Sequence, residues 1–174
     1  FMLDAAQCGS GKTVTAMAIG QVWGGAYMVS DPSIAWDQMC KNWMSSPNAH
    51  SRSVIFDNQR GKIEGTGIES LITAESISGW ALYRGMAVRS NTVTVIVTMN
   101  GGRASEDMAT RFIPILMGTP KTGVPWNSKM ADFLRKHRYS VIADVLALLN
   151  EDDKCEIKSP DRFSDWQRGV LAKL

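Results

Sequence analysis

The chain has 174 residues, of which 44% are hydrophobic and 21% are charged. This composition supports one sizeable hydrophobic core and excludes a disordered, collagen-like or coiled-coil protein. The net charge of +2 gives no electrostatic argument for or against a nucleic-acid partner.

Cysteines and histidines are few and widely spaced: Cys8, Cys40, Cys155, His50 and His137. They form neither a disulfide framework nor a zinc-binding pattern, which indicates a reducing compartment. No apolar run approaches the roughly 20 residues that span a bilayer, and no signal peptide is recognisable. The sequence therefore predicts a cytoplasmic protein without membrane contact.

Residues 6–13 read Ala-Gln-Cys-Gly-Ser-Gly-Lys-Thr, which is the phosphate-binding P-loop pattern. Gly9 and Gly11 let backbone N–H groups turn towards phosphate, Lys12 can reach the terminal phosphates, and Thr13 can ligate Mg²⁺ at a helix N-terminus. The pattern predicts binding of ATP or GTP with Mg²⁺; the alternative is a glycine turn that merely joins a strand to a helix. The residues expected to contact the nucleotide are Ala6, Gln7, Cys8, Gly9, Ser10, Gly11, Lys12, Thr13 and Val14.

The elements around this loop follow a strand-helix-strand order. Apolar residues 1–3 precede the loop, and apolar spacing predicts a helix over 13–22 that ends before Gly24. A short strand over 27–29 completes a βαβ unit. Residues 33–44 predict a second helix, whose Trp and Met residues are interpreted as core positions.

The next strand, 53–57, ends in a carboxylate. Four residues, Ser-Val-Ile-Phe, lead to Asp57, a pattern typical of a buried parallel strand that delivers an acid to the carboxyl edge of a sheet. Asp57 is therefore a Walker B candidate that would help to hold Mg²⁺ opposite Thr13.

Helix and hairpin patterns follow. Residues 63–77 predict a helix interrupted around 65–67, and residues 79–91 alternate around a glycine as a hairpin does. Residues 92–99 are the clearest buried strand in the chain, and it ends at Asn100.

The remaining elements are a short polar helix over 105–110, a strand over 112–116 and a helical pattern from Asn127. Pro114 indicates that the strand lies at an edge of the sheet, since proline has no backbone N–H to donate to a neighbouring strand.

This order resembles the core of the AAA+ P-loop ATPases. Three segments look like the helicase-type ATPases of phages, plasmids and mobile elements, which are superfamily 3-like or primase-associated: residues 68–73, 93–100 and 106–115. The resemblance covers roughly residues 1–150, and the segment 163–166 resembles the part that follows the lid helix in such proteins.

The resemblance implies an α/β fold in which helices enclose a five-stranded parallel sheet with strand order 5-1-4-3-2. It also implies an ATPase core over residues 1–122, followed by a partial helical lid and C-terminal segment over residues 123–174.

The same resemblance assigns site roles. Asn100 matches the sensor 1 position and Arg111 matches the arginine finger, which in a ring reaches the ATP of the neighbouring subunit. Arg138, with Arg135 as a second choice, matches a sensor 2 arginine; the alternative for Arg138 is the solvated face of an amphipathic helix.

One position departs from the AAA+ pattern. Many members place a glutamate directly after the Walker B aspartate, whereas this chain has Asn58, and an amide can orient water but cannot accept its proton. Relatives with Asp-Asn are included in the resemblance, and Glu64 is a further candidate for the base. The expected catalytic residues are Lys12, Asp57, Asn58, Asn100 and Arg111.

The predicted hairpin has the position of the DNA-contacting hairpin of superfamily 3 helicases. Arg84 and Arg89 would contact phosphates, and Tyr83 would offer a stacking surface. The alternative is a ribbon that packs on the core through Trp80, Leu82 and Met86.

These assignments predict an ATP-dependent nucleic-acid motor of the replicative helicase or translocase type. Its expected partners are single-stranded or forked DNA, further copies of itself in a ring, with a hexamer as the family expectation, and a fused or associated primase. The expected setting is the cytoplasm of a bacterial or archaeal host, or a virus. Alternatives are a AAA+ protein remodeller or loader, a P-loop kinase for a small molecule, and a switch that binds ATP without turnover.

Overall fold

The computed structural model describes residues 1–29, 36–45, 48–63, 66–81, 85–118, 125–152, 154 and 164–173. These residues form two compact units, Phe1–Ala131 and Asp132–Leu174. Several predictions fall outside the described residues: the boundary between residues 122 and 123, the roles of Tyr83, Arg84 and Glu64, and the start of the segment 163–166.

The first unit alternates strands and helices. In chain order its elements are β1 (Met2–Asp4), α1 (Lys12–Val22), β2 (Ala26–Val29), α2 (Trp36–Met44), β3 (Ser53–Gln59), β4 (Lys62–Ile63), α3 (Thr66–Thr73), β5 (Ser76–Ala81), β6 (Gly85–Ser90), β7 (Thr94–Met99), β8 (Arg103–Ala104), α4 (Glu106–Ala109), β9 (Pro114–Leu116) and the beginning of α5 (Trp126–Leu149).

Five of these strands form one sheet in the order β2-β3-β7-β1-β9, and every neighbouring pair is parallel. Numbered along the chain, the five strands lie in the order 5-1-4-3-2 from one edge to the other. The predicted α/β class with a five-stranded parallel sheet is confirmed, and Pro114 does lie in an edge strand, paired only with β1.

The central strands are apolar because both faces of the sheet are covered. On one face, Ile55 and Ile96 pack with Leu3 and with Ala16 of α1. On the other face, alternate residues of the same strands pack with side chains of α2 and α3: Val54, Phe56, Val95 and Val97. The period of two along β3 and β7 therefore distributes side chains between two cores.

The sequence placed the ends of the helix over 63–77 wrongly. The structure has a helix only over α3, whereas Ile63 lies in β4, paired in parallel with Ala104 of β8. Ile77 lies in β5 and is buried there. At both ends of the predicted helix the isoleucine, Ile63 or Ile77, is buried from an extended strand. Strand pairing and burial therefore override the helical spacing of the sequence.

Strands β5 and β6 form an antiparallel hairpin, as predicted, with Trp80 opposite Met86. Both of these side chains are exposed, by 62% and 66%, so the alternative in which they pack on the core is wrong for these two residues, and Leu82 lies outside the described residues. The inner face is instead the one that carries Ile77 and Gly79. A Cβ added at Gly79 would lie 3.3 Å from the carbonyl oxygen of Cys40, so the hairpin approaches α2 at this glycine.

The second unit contains most of α5, the helix α6 (Ser164–Gly169) and a 3₁₀ turn over Leu171–Lys173. The backbone N–H of Lys154 donates to the carbonyl of Ala172 and so joins two parts of this unit. Among the helices that the structure describes, none combines the length and apolar character required to cross a bilayer.

Candidate functional site

A cleft of about 360 Å³ opens at the carboxyl end of the central strands. In open parallel sheets this edge is the usual place for a ligand, because the loops that follow the strands meet there. The residues that line it are Cys8, Gly9, Ser10, Gly11, Lys12, Thr13, Val14, Asp57, Asn58, Thr98, Asn100 and Asn127. The cleft thus brings together most of the sequence-predicted site residues from three separate loops.

The glycine loop, residues 6–13, forms one wall. Gly9 and Gly11 have φ values of +77° and +85°, a left-handed conformation that costs other residues about 1–2 kcal/mol. Gly11 is the N-cap of α1 and provides no side-chain cap. The first-turn N–H groups of α1 therefore lack the usual side-chain acceptor from the cap residue, which favours an anion at this helix end.

Lys12 is the buried cation of the cleft, with 7% of its surface exposed. Its Nζ donates to Ser10 Oγ at 2.8 Å, to Asn100 Oδ1 at 2.7 Å and to the carbonyl oxygen of Gln7 at 3.3 Å. All three acceptors are neutral, and no ion pair joins Lys12 to a carboxylate within the described part of the chain. Since burying an unpaired charge is costly, this site gains most from an anionic ligand.

Asp57 is the acceptor at the centre of the opposite wall. Thr13 and Thr98 each donate a hydroxyl hydrogen to its Oδ1, both at 2.7 Å. A carboxylate and a hydroxyl oxygen that lie this close are hard oxygen ligands of the kind that Mg²⁺ prefers. Thr13 and Asp57 therefore fit a magnesium ion by their chemistry.

Sequence reasoning missed Thr98. It is 1% exposed, and its Oγ also accepts from the backbone N–H of Asn58 at 2.8 Å. A signal existed, because Thr98 is the polar residue within the buried and otherwise apolar run 95–99.

Asn58 and Asn100 stand at the mouth of the cleft. Asn100 Nδ2 lies 3.4 Å from Asn58 Oδ1, while its own oxygen accepts from Lys12. Asn58 has φ = +53°, the left-handed region. The two predicted catalytic amides are thus neighbours, and one of them contacts the buried cation.

Asp4, also missed from sequence, joins two of the loops. Its Oδ1 accepts from the backbone N–H groups of Ala5 and Gly101, both at 2.9 Å. The chain leaving β1 towards the glycine loop is thereby held to the turn that follows Asn100. This contact sets the spacing between the predicted sensor residue and the glycine loop.

Arg111 does not line the cleft of its own chain. Its guanidinium makes two hydrogen bonds to the Asp107 carboxylate, at 2.9 and 3.1 Å, and these bonds raise the pKa of Arg111. Arg138 belongs to the second unit, where its guanidinium lies 5.6 Å from the ring centre of Tyr139.

Arg89 points to the inner face of the hairpin. It donates to the carbonyl oxygens of Ala49 and Ser51, at 2.6 and 3.2 Å, and lies 5.0 Å from the ring centre of Trp43. Partial burial, followed by the nearby Arg52, lowers the pKa of Arg89. Its predicted phosphate contact stays a prediction, and its contacts within the chain anchor the hairpin.

No protein-family model matches the sequence, and a search of curated proteins gives no significant match. Among solved structures, JCV helicase with a thiazolopyridine acetamide bound aligns over 83% of this chain, with 19% identity and a TM-score of 0.50. Two other JCV helicase structures, one of them with an inhibitor bound, give 20% and 19% identity and TM-scores of 0.43 and 0.44.

The likeness to the first of these structures concerns the fold, since the identity is low. The chain spans about two fifths of that helicase chain, 41% of its length. The first unit therefore has a helicase-like α/β fold, with its cleft at the carboxyl edge of the parallel sheet.

Proposed function

We propose that the cleft binds ATP with Mg²⁺ and hydrolyses it, and that the chain is a AAA+ P-loop ATPase module of a nucleic-acid motor. One observation carries the nucleotide assignment: a buried lysine with neutral partners lies at a glycine loop and a helix N-terminus, where the adjacent Thr13 hydroxyl is hydrogen-bonded to the Asp57 carboxylate. An anion that itself carries a divalent cation complements both walls.

Each group in the cleft has a role in this reaction. The N–H groups around Gly9 and Gly11 would bind phosphate oxygens, and Lys12 would contact the terminal phosphates. Thr13 and Asp57 would hold Mg²⁺, which neutralises charge on the phosphates. Asp57 also accepts from Thr98, so its orientation is fixed before any ligand binds.

Water orientation falls to the two amides. Asn58 and Asn100 lie together at the cleft mouth, where amide groups can position a water molecule against the terminal phosphate. Neither can take the proton of that water. We therefore propose that the amides orient water and that the phosphate oxygens or Glu64 receive the proton.

Arg111 supports a role between subunits. It lies outside its own cleft and is held by Asp107, as expected for a finger that serves a neighbouring copy. We propose that copies of the chain form a ring, with six copies as the family expectation, and that the ring moves along single-stranded or forked DNA. The proposed setting is a phage or mobile element, with a fused or associated primase. The helicase-like fold and the exposed outer face of the β5–β6 hairpin, which carries Trp80 and Met86, are consistent with this.

The proposal is tested by ATP hydrolysis with and without single-stranded DNA, using wild type, Arg111→Ala and mixtures of the two. We expect DNA to stimulate turnover, and Arg111→Ala to lower it by about 10³-fold and to inhibit wild type in mixtures. Lys154→Ala, which removes an exposed cation that is also paired with an acid, is the control and should behave as wild type. Turnover that ignores both DNA and mixing would instead favour a protein remodeller or a kinase.

Asn58 favours a second candidate, a switch that binds ATP without turnover. Phosphate release measured for wild type and for Lys12→Ala distinguishes the two functions. Lys12-dependent release excludes the switch, whereas tight ATP binding without release would establish it.

A further inference from the structure

Asp57 and Asn58 are consecutive residues of β3, and both line the cleft. In a regular strand, consecutive side chains point to opposite faces of the sheet. Two neighbours of one strand in the same cleft therefore indicate a local departure from regular strand geometry.

This departure lies in the pairing of β3 with β7. Regular pairs flank it on both sides, Phe56 with Val97 and Gln59 with Met99. Between these pairs, two residues of β3, Asp57 and Asn58, lie opposite one residue of β7, Thr98. Two residues against one is the count of a β-bulge, a feature that redirects side chains and is frequent beside active sites. The left-handed backbone of Asn58 falls within this β3 bulge.

The hydroxyl of Thr98 bonds to both residues of the β3 bulge. Its Oγ1 donates to Oδ1 of Asp57 at 2.7 Å and accepts from the backbone N–H of Asn58 at 2.8 Å. A hydroxyl has a single hydrogen, and here that hydrogen is given to the carboxylate. One buried group therefore fixes the side chain of Asp57 and the backbone of Asn58 together.

Packing alone does not explain a threonine at this position. Valine has nearly the same shape and suits a strand whose neighbouring residues 95–97 are apolar and buried. A buried hydroxyl costs free energy unless it is hydrogen-bonded, and the hydroxyl of Thr98 has a partner both as donor and as acceptor. Its two bonds to the β3 bulge are therefore the reason for the polar residue.

Thr13 does not duplicate the role of Thr98. It also donates to Oδ1 of Asp57, but it lies in the first turn of α1 and is itself a proposed ligand of Mg²⁺. Thr98 lies in the strand between β1 and β3, within the sheet. The sheet, through Thr98, thus supports the β3 bulge from the side that a ligand on the glycine loop does not reach.

We propose that Thr98 is a positioning residue, whose hydroxyl holds the β3 bulge in the conformation that brings the Asp57 carboxylate and the Asn58 amide into the cleft together. The inference rests on the proposed function, in which Asp57 holds Mg²⁺ and Asn58 orients water. It adds the group that makes these two neighbours act as one unit. Thr98 acts through Asp57 and Asn58.

Three variants test this role. Thr98→Val keeps the shape of the side chain and removes the hydroxyl, whereas Thr98→Ser keeps the hydroxyl and removes a methyl group. Thr94→Val makes the first exchange at the other end of the same strand, outside the cleft, and is the matched control. Calorimetry measures ATP binding with and without Mg²⁺, a magnesium titration measures turnover, and a thermal melt without ligands measures stability.

We expect Thr98→Val to raise the Mg²⁺ concentration for half-maximal turnover and to weaken binding of ATP with Mg²⁺ by roughly 10–100-fold, the usual effect of losing a partner of a metal ligand. Its binding of ATP without Mg²⁺ should be unchanged. Thr98→Ser should melt at a lower temperature, because a buried methyl group is lost, yet should need no more Mg²⁺ than wild type does. Thr94→Val should match wild type in its Mg²⁺ requirement.

Two results would overturn the positioning role while the nucleotide site stands: a wild-type Mg²⁺ requirement in Thr98→Val, or an equal loss of ATP binding with and without Mg²⁺. Thr98→Ala also lacks the hydroxyl and carries the same prediction if the valine variant does not fold. Failure of both to fold would give Thr98 a role in stability alone and overturn the inference. If wild type shows no ATP binding that depends on Lys12, the proposed function itself fails.

Discussion

The cleft and the β5–β6 hairpin each carry a basic side chain that is at least partly buried, Lys12 and Arg89. The surroundings of the two positive charges differ. Lys12 lies in an open cleft beside a helix N-terminus, where the local potential is already positive. Arg89 lies against two carbonyl oxygens and the face of Trp43, all of which carry partial negative charge. Both cations donate to neutral oxygens, but Lys12 also lines an open cleft that a ligand can enter, so the lysine is the one placed to bind an anion.

The difference shows how to separate a binding residue from an anchoring one. Both residues came from sequence as candidate phosphate contacts, and only their surroundings distinguish them. Substitutions in the two regions should therefore separate in a simple way: changes in the cleft affect turnover first, and changes on the inner face of the hairpin affect stability first.

The largest effect is expected for Lys12→Met, which keeps most of the length of the side chain and removes its charge. Turnover should fall by at least about 10²–10³-fold, while the Tm without nucleotide should stay the same or rise, because an unpaired buried ammonium is removed. Phosphate release and a thermal melt measure the two quantities. Lys41→Met, on an exposed position of α2, is the control; a clear drop in Tm for Lys12→Met alone would show that this lysine stabilises the fold.

Asp57→Ala should affect both quantities. It removes the acceptor for Thr13 and for the buried Thr98, and an unsatisfied buried hydroxyl costs about 1–3 kcal/mol. Turnover should fall by roughly 10²-fold or more and lose its dependence on Mg²⁺. Urea unfolding and a magnesium titration of activity test this. Asp57→Asn retains an acceptor oxygen and should recover stability without recovering activity; recovery of both would contradict a metal role.

The smallest effect, on stability alone, is expected at the hairpin. A side chain at Gly79 meets Met44 Cγ at 3.0 Å and the carbonyl oxygen of Cys40 at 3.3 Å, so Gly79→Val should cost about 1–3 kcal/mol in urea unfolding. Ser78→Val, on the exposed face of the same strand, should change stability by less than about 0.5 kcal/mol. Equal costs at the two positions would reverse the assignment of inner and outer faces.

The sequence predicted the sheet well because its strands are apolar on both faces, and residues 53–57 and 94–99 have no competing periodicity. It predicted the residues of the cleft because the glycine loop is a contiguous motif and because parallel strands end at one edge. Asn100 and Asp57 follow from that rule. Thr98 and Asp4 do not, since their roles depend on partners about 40 and 97 positions away.

The hairpin shows the opposite case. Alternation around Gly85 predicted a hairpin but did not show which of its faces packs on the core, and the alternative in which Trp80 and Met86 pack there was wrong. The deciding contact is the close approach of Gly79 to the backbone of α2, which no local pattern encodes. The ends of α3 were missed for the same reason, since β4 exists only through its pairing with β8.

The backbone at Asn58 has a consequence for enzyme engineering. The substitution Asn58→Glu would supply at this position the proton acceptor that the proposed hydrolysis lacks. Asparagine is among the few residues that adopt the left-handed conformation readily, and glutamate is not. The exchange would therefore either strain the irregular end of β3 or rotate the carboxylate away from the cleft, so a gain in the proposed hydrolysis requires a second change that relaxes the backbone at residue 58.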